Sequence, residues 1–380
     1  MGLGVDIVAA INALSETDKR DIEKVWDAIG GVIVAGTGLW EIDGTETQLK
    51  TADEIDMQTK KIINALDPEN DQDYATKKFV IASCDFNLFA ACNWTQRTSL
   101  FGTTHIIEVA HNQSDLWVAA GYDGKLITSA DGITWTSRTS SFGTDGIFGV
   151  AYNGSNLWVA VGASGKLASS SDGTSWTQRA SSFGTTYIQD VAHNQSNLWV
   201  AVSLDAKIAT SSNGIDDWEQ VVDSSFGTTH IYGVAYNGSN LWVAVGNTGK
   251  LATSLNGTSW TQRTSSFGTS HVRKVAYNGS NLWVAVGNDG KIATSDDGID
   301  WYQQTSPFGL SDIYGIAYGS GLWVAVSQSG KLATSLDGEN WTLRTSSFNI
   351  TSIRSIAYNG SNSWVIVGYD GKLATSLFGI

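Results

Sequence analysis

The 380-residue sequence contains little proline, cysteine, methionine or positive charge, and these shortages exclude several kinds of protein. Its two cysteines, Cys84 and Cys92, are too few for a zinc site, so we interpret them as ordinary thiols, with a local disulfide as the alternative. Acidic residues outnumber basic ones and give a net charge of −14, which argues against nucleic-acid binding and against docking on an anionic membrane. Because no apolar run reaches about 18 residues, we expect no membrane insertion.

Glycine and tryptophan, in contrast, are abundant, with 41 and 16 copies. Many short strands joined by tight turns need glycine, so this composition favours an all-β fold. Self-comparison reveals a repeat of 40 to 43 residues that contains two tryptophans. The first tryptophan series is Trp117, Trp158, Trp199, Trp242, Trp283, Trp323 and Trp364. The second series is Trp94, Trp135, Trp176, Trp218, Trp260, Trp301 and Trp341. Seven units of this length predict a seven-bladed β-propeller of four-stranded blades over residues 81–380, with the tryptophans buried between blades.

Turn residues divide each repeat into four predicted strands. In one unit, Asn153-Gly154 is a typical hairpin turn between the first and second strands. The segment Gly162–Lys166 joins the second strand to the third, and Ser171-Asp172-Gly173 returns the chain as the fourth.

The two ends of the repeat predict how the ring closes. The last unit supplies three strands and stops at Ile380 without its tryptophan strand, whereas the first unit supplies only that strand, residues 94–98. Strand 94–98 is therefore predicted to complete the seventh blade beside strands from the C-terminal unit.

Six turns between third and fourth strands share the pattern Ser-x-(Asp/Asn)-Gly followed by tryptophan. The acidic or amide positions are Asp131, Asp172, Asn213, Asn256, Asp297 and Asp337. This pattern resembles a shortened Asp-box, the repeated turn of sialidase-like and photosystem-assembly propellers. The resemblance implies a structural turn in which the polar side chain binds nearby backbone N–H groups and glycine adopts the left-handed conformation. We expect neither metal binding nor acid catalysis from these residues.

The sequence offers no set of residues arranged for catalysis, so we expect no enzyme and no cofactor. A sialidase would bring three arginines to one substrate carboxylate, but only Arg273 and Arg354 are unique to their blades among the propeller arginines. His111 and His193 occupy a position that the other blades give to tyrosine, which predicts an aromatic packing position instead of a catalytic one.

Comparison of the blades with one another separates the common scaffold from the variable positions. Variation concentrates at the start of each first strand and in the turn between the second and third strands, two places that share one end of an antiparallel blade. We expect one face of the disc to collect side chains suited to glycan or protein-surface binding, although loop drift without constraint would give the same variation. The candidate ligand-binding residues are His105, Tyr122, Tyr187, His230, Tyr232, His271, Arg273, Asp289, Tyr314, Arg354 and Tyr369.

Residues 1–80 do not share the repeat. Ser15 and Asp18 precede an apolar stripe that predicts a helix over about residues 15–29, and that stripe needs a partner. The segment 57–80 ends with Asp-x-x-Thr-Lys-Lys-Phe-Val and resembles the recurrent shaft motif of bacteriophage tail-fibre and head-fibre proteins. The resemblance implies a homotrimeric virion appendage in which residues 1–80 contact other virion proteins and the C-terminal domain points outward.

These patterns together favour a phage virion structural protein, a tail or capsid appendage that displays a propeller for adhesion to a host-surface ligand such as a glycan. One alternative is a capsid or tail decoration protein with no receptor. A glycan-cleaving enzyme and a cellular assembly factor are the others.

Overall fold

The computed structural model describes residues 54–56, 61–63 and 94–377. The chain divides into two units, and the second, Asn87–Gly379, contains the repeats. In the first unit, strands β1 (Glu54–Asp56) and β2 (Lys61–Ile63) pair in antiparallel register. The predicted helix, the two cysteines and most of the shaft-like motif lie outside the described residues.

Seven four-stranded antiparallel sheets, called blades 1 to 7 below, build the second unit. Blades 1 and 2 comprise β4 (Ile106–His111), β5 (Trp117–Gly121), β6 (Lys125–Ser129), β7 (Thr136–Thr139), β8 (Ile147–Tyr152), β9 (Trp158–Gly162), β10 (Leu167–Ser170) and β11 (Thr177–Arg179). Blades 3 and 4 comprise β12 (Ile188–His193), β13 (Trp199–Ser203), β14 (Ile208–Ser211), β15 (Glu219–Gln220), β16 (Ile231–Tyr236), β17 (Trp242–Gly246), β18 (Lys250–Ser254) and β19 (Thr261–Thr264). Blades 5 and 6 comprise β20 (Val272–Tyr277), β21 (Trp283–Gly287), β22 (Ile292–Ser295), β23 (Tyr302–Gln304), β24 (Ile313–Gly319), β25 (Leu322–Ser327), β26 (Leu332–Ser335) and β27 (Thr342–Arg344). Blade 7 comprises β28 (Ile353–Tyr358), β29 (Ser363–Gly368), β30 (Leu373–Leu377) and β3 (Thr95–Arg97).

The turn between the second and third strands is a single 3-10 turn in six blades. These turns are Tyr122–Gly124, Ala163–Gly165, Asn247–Gly249, Asn288–Gly290, Gln328–Gly330 and Tyr369–Gly371. Their central residue has a positive φ, for example 57° at Asp123, and glycine follows it. Glycine is required at Gly124 because a Cβ there would lie 2.2 Å from the carbonyl oxygen of Gly143 in the next blade.

The first strands of the blades form the innermost ring. Each first strand contacts the first strand of the next blade, and β28 of blade 7 contacts β4 of blade 1. The strand predicted at 94–98 is present as β3, which pairs antiparallel with β30 through Gln96 and Ala374. The seven-bladed all-β propeller with four-stranded blades, predicted from the sequence, is therefore confirmed.

The apolar core is divided into seven layers, each shared by two neighbouring blades. In one layer, Val118 and Leu126 of blade 1 pack with Phe142 and Trp158 of blade 2. All seven tryptophans of the first series are at most 1% exposed. Since a buried tryptophan removes roughly 150–250 Å² from water, these layers supply the main apolar stabilisation of the ring.

The turn at Asp131 shows how the third strand passes to the fourth. Its Oδ1 accepts hydrogen bonds from the backbone N–H groups of Ile133 (2.8 Å) and Thr134 (2.7 Å). Gly132 has a φ of +70°, and its carbonyl accepts a bond from Trp135 Nε1 (3.2 Å). The short polar side chain, the left-handed glycine and the tryptophan thus stabilise a structural turn, which satisfies its own backbone groups.

The sixth residue of each first strand packs its ring on the first-series tryptophan. Tyr152 lies 4.9 Å from Trp158, and His111 lies 4.5 Å from Trp117, measured between ring centroids. The backbone N–H of Gln113 donates to Nδ1 of His111 at 2.9 Å. The histidines of blades 1 and 3 therefore occupy an aromatic packing position as neutral rings, since protonation of Nδ1 would break that bond.

Ring closure by β3 can be tested with paired proline substitutions. The double variant T95P/Q96P removes two adjacent N–H groups, one of which must face β30, whereas T177P/Q178P makes the same change in the outer strand of blade 2. Both should destabilise an outer strand, but the first should lower Tm by about 5 °C more because it also separates the two ends of the ring. Equal Tm losses in thermal unfolding would contradict closure by β3.

The buried histidines predict a loss of stability in mild acid. Burial lowers the pKa of His111 and of His193 to about 4, from an ordinary value of 6.5. The unfolded chain therefore binds more protons between pH 6.5 and 4, so stability falls as the pH drops through that range.

The variant H111Y/H193Y copies the tyrosine of the other five blades and removes both titrations. Its Tm should fall less between pH 7 and pH 5 than that of the unchanged protein. The expected difference in the free energy of unfolding is on the order of 1–2 kcal/mol, since both rings are only partly buried and solvent screens them. Identical pH dependence of the two proteins would show that these histidines do not couple to unfolding.

Candidate functional site

Hydrogen bonds bring the two variable segments of each blade together at one end. The backbone N–H of Tyr122 donates to the carbonyl of His105 (3.1 Å), and that of Tyr369 donates to the carbonyl of Ser352 (3.0 Å). Equivalent bonds occur in the other five blades. We call this end the top face: it comprises the residues just before and at the start of the first strands, and the turns that follow the second strands.

A β-bulge at the second residue of every first strand directs one side chain per blade toward the axis. Pairing between first and second strands shifts register there in all seven blades, and a bulge re-aims its unpaired residue. The bulged residues, which we call the channel mouth, are Ile107, Phe148, Gln189, Tyr232, Arg273, Tyr314 and Arg354. All seven line a narrow pocket of about 70 Å³, together with Glu108 and Lys274.

The third residue of each first strand forms the next layer along the axis. These residues are Glu108, Gly149, Asp190, Gly233, Lys274, Gly315 and Ser355. Gly149 leaves little room for a larger residue, since a Cβ would lie 3.1 Å from Cα of Asp190. Small residues therefore alternate with larger ones in this layer, because the space around the axis is too narrow for seven large side chains.

Four of these residues form a bonded group that we call the channel cluster, made of Glu108, Asp190, Lys274 and Ser355. Lys274 Nζ lies 3.0 Å from Asp190 Oδ2 and 3.5 Å from Glu108 Oε2. Ser355 Oγ donates to Glu108 Oε1 at 2.8 Å, and Asp190 Oδ2 accepts from the backbone N–H of Val234 at 3.1 Å. The cluster joins blades 1, 3, 5 and 7 across the axis.

Burial governs the charges of the channel cluster. It raises the pKa of Glu108, and the attraction of Lys274 only partly opposes this effect. For Lys274, burial favours the neutral form, but Asp190 and Glu108 outweigh it and hold the pKa above its ordinary value. Lys274 is therefore a charged group at neutral pH that is paired inside the protein with two carboxylates.

Aromatic rings extend from the channel mouth across the top face of blades 1 to 3 and 7. His105 stacks on Tyr369 at 4.0 Å and lies 5.7 Å from Tyr122. Tyr122 contacts Phe148 at 6.0 Å, and Phe148 contacts Tyr187 at 5.8 Å. We call these five residues the aromatic belt. Tyr122 and Tyr187 are 41% and 46% exposed, so a ligand lying across this face can contact their rings.

A second aromatic group carries the two arginines that are unique to their blades. The Arg273 guanidinium lies 4.5 Å from the ring of Tyr232, which is 5.9 Å from His271. The Arg354 guanidinium lies 4.1 Å from Tyr314 and 5.5 Å from Tyr369 of the aromatic belt. These distances are typical of cation–π contacts, which orient each guanidinium against a ring.

Most other cations of the repeat make structural hydrogen bonds, although Arg97 Nε in the outer strand of blade 7 is buried without a partner among the described residues. The lysine after each 3-10 turn donates to the carbonyl of the buried phenylalanine before the blade, at 2.8 Å for Lys125 and Phe101. Arg138 and Arg344 of the outer strands bind threonine hydroxyls at 2.8 and 2.9 Å. Arg273 and Arg354 thus differ from these cations in both position and surroundings.

The eleven candidate residues all lie on the top face, and the structure joins most of them. His230 lies 6.2 Å from Tyr232 and contacts the carbonyl of Leu204. Asp289 is the exception, because its carboxylate is held by Ser270 Oγ at 2.6 Å as part of its turn. Their binding of a ligand stays a prediction.

Sequence reasoning missed Phe148, which links two tyrosines of the belt, and the pairing of Lys274 with Glu108 and Asp190. The sequence does contain a pattern that could have revealed the channel cluster. At the third position of the first strands, charged residues alternate with glycine from blade to blade.

Within the described part of the chain, no group of three metal-ligating side chains forms a metal site. The same residues include no helix long and apolar enough to span a membrane.

The channel cluster predicts that removing one of its charges destabilises the protein much more than removing all of its charges together. K274M leaves Glu108 and Asp190 without their cation and should lower the free energy of unfolding by about 3–5 kcal/mol. The triple variant E108Q/D190N/K274M removes all three charges and should recover most of that loss in denaturant titrations. A triple variant no more stable than K274M would show that charge balance does not stabilise the channel.

Comparison with known proteins agrees with this fold. Residues 227–379, which span blades 4 to 7, match the family model described as the DUF6242 beta propeller domain. No curated protein matches the chain. The solved structure of YCF48 from Cyanidioschyzon merolae has a TM-score of 0.60 at 16% identity and covers 75% of this chain and 98% of its own. YCF48 bound to D1 peptide has a TM-score of 0.61 at 18% identity, over 75% of this chain and 94% of its own.

The WD40 beta propeller domain of Doa1 is also similar, with a TM-score of 0.60 at 13% identity over 72% of this chain and 93% of its own. Identities this low show a shared fold alone. The chain therefore contains a seven-bladed β-propeller, and its residues 227–379 match the DUF6242 beta propeller domain.

Proposed function

We propose that the propeller is a non-catalytic recognition module whose top face binds a glycan on a host-cell surface. The observation that carries this proposal is the aromatic belt, a continuous set of ring contacts from Tyr187 to Tyr369. Surface tyrosines and histidines supply apolar faces and polar edges at low entropic cost, a combination suited to binding sugar rings.

The shape of the top face supports a ligand that lies across it. The pocket at the channel mouth holds about 70 Å³, far below the roughly 300–1,000 Å³ of typical small-molecule sites. A whole small molecule would not fit, whereas one substituent of a polymer would. The exposed rings of Tyr122 and Tyr187 then offer contact area beside the pocket.

We further propose that residues 1–80 attach the propeller to a phage particle as a homotrimeric tail or capsid appendage. This part of the proposal rests on the shaft-like segment 57–80 and its resemblance to phage fibre proteins. Three propellers on one appendage would raise the avidity for a repeating surface polymer without any new contact. A decoration protein with no receptor is the competing function, and a binding experiment separates the two.

Binding of the full-length chain to an array of bacterial surface polysaccharides tests the proposal. The variant Y122A/Y187A should bind at least tenfold more weakly, because each lost aromatic contact contributes about 0.5–1.5 kcal/mol beyond buried area. Y302A is the matched control, since Tyr302 is 66% exposed on the outer strand of blade 5. It should bind as the unchanged protein does.

Two results would contradict glycan recognition by the top face. One is the absence of binding to every polysaccharide on the array, which would favour the decoration protein. The other is an equal loss of binding in Y122A/Y187A and Y302A, which would move the site away from the belt.

A further inference from the structure

Arg273 and Arg354 are the two charged residues at a repeat position that is otherwise uncharged. At the channel mouth the other blades place Ile107, Phe148 and other uncharged residues, so the two guanidinium groups are departures from the scaffold. They flank Tyr314 in the order of the blades, and all three residues line the same pocket. In a protein with a net charge of −14, two cations at one small pocket require an explanation.

Neither arginine is neutralised by the described part of the protein. Arg273 Nε donates to the uncharged Oδ1 of Asn288 at 2.7 Å. The Nε of Arg354 is buried and has no hydrogen-bond partner among the described residues. Ion pairs within 4.0 Å in this part of the chain involve Lys166 and Lys274, not these arginines. A buried donor without an acceptor is costly. Arg97 Nε shares this feature far from the pocket, so the position of both mouth arginines in the pocket lining is the observation that points to an anion.

The charges of the channel mouth and the channel cluster sum to a positive value, although Asp312 at the rim adds a negative charge near Tyr314. Arg273, Arg354 and Lys274 face the two carboxylates of Glu108 and Asp190, which leaves a charge of +1 in the mouth and channel cluster. Burial raises the pKa of Glu108, and its protonation would increase the charge further. The low dielectric of a narrow pocket strengthens attraction for an incoming anion.

The volume of the pocket limits the size of the anionic group that can enter it. A volume of about 70 Å³ is far below the roughly 300–1,000 Å³ of typical small-molecule sites, so the pocket suits a single charged substituent such as a carboxylate better than a whole pyranose ring. The ring would remain outside, over Tyr314 and Tyr232. Guanidinium groups bind carboxylates through paired N–H donors with high geometric specificity.

We infer that Arg273 and Arg354 bind the carboxylate of an acidic sugar, a uronic or sialic acid residue of the recognised glycan. This inference rests on the proposed glycan-binding function and names its ligand class. The arginines act as binding residues, and the aromatic belt contacts neighbouring sugars of the chain.

Saturation-transfer NMR on the full-length chain tests the inference with three probes and their neutral counterparts. The probes are galacturonate, glucuronate and N-acetylneuraminate, each compared with its methyl ester. At least one acid should bind, and its ester should bind at least tenfold more weakly because esterification removes the charge and changes little else. Binding of the acid should also weaken between 0.05 and 0.5 M NaCl.

The double variant R273Q/R354Q should lose the preference for the acid over its ester. Glutamine is tolerated at this repeat position, since blade 3 has Gln189 there. The control is R344Q, which makes the same kind of substitution once, on an outer strand. Gln304 already fills that position in blade 5 and binds Thr294 Oγ1 at 2.7 Å, so R344Q should fold and keep the preference.

The outcomes separate this inference from the broader proposal. Equal binding of acid and ester, or array binding confined to neutral glycans, would overturn the carboxylate site and leave glycan recognition intact. Tighter binding of a glutamate-containing peptide than of any acidic sugar would assign the arginines to a protein ligand and also overturn the inference. Failure of the chain to bind any saccharide, on the array or in solution, would overturn both.

Discussion

The structure depends on one constraint: each four-stranded blade is apolar on both faces and can bury them only against its neighbours. The seven core layers show this directly, because each combines side chains from two blades, such as Val118 and Trp158. An open row of blades would expose two such faces, so the ring must close. Closure by β3 beside β30 joins segments from both ends of the propeller into blade 7.

The same ring geometry creates the candidate site. Seven strands that converge on an axis leave too little room for seven large side chains, so glycine recurs in the innermost layer, as at Gly149. The bulge above that layer directs one residue per blade to the mouth, where the scaffold does not require a particular side chain. Mouth residues are therefore free to vary with function, and the chain uses this freedom to place Arg273 and Arg354 beside tyrosines.

The repeat made most of the fold predictable. The two tryptophan series predicted the number of blades. The isolated repeat strand at 94–98 predicted how the ring closes. Both predictions depend only on local sequence and on repeat length. The side of the disc that holds the variable residues was also predictable, since turn order in an antiparallel blade determines it.

Contacts between blades were less accessible from the sequence. Lys274 and Asp190 are 84 residues apart, and their pairing depends on the diameter of the channel. The bulges also escape sequence reasoning, since Ile106 and Ile107 look like ordinary strand residues. The proposed virion role depends on residues 1–80, where the structure describes only β1 and β2.

The central claim is that the propeller recognises its ligand through the top face. Hydrogen–deuterium exchange of the full-length chain, with and without a polysaccharide that it binds, tests this claim most directly. The account predicts slower exchange in segments 105–108 and 271–274 when the polysaccharide is bound, with little change in the hairpins 112–116 and 194–198 at the opposite end of the blades. Slower exchange confined to those opposite hairpins would contradict it.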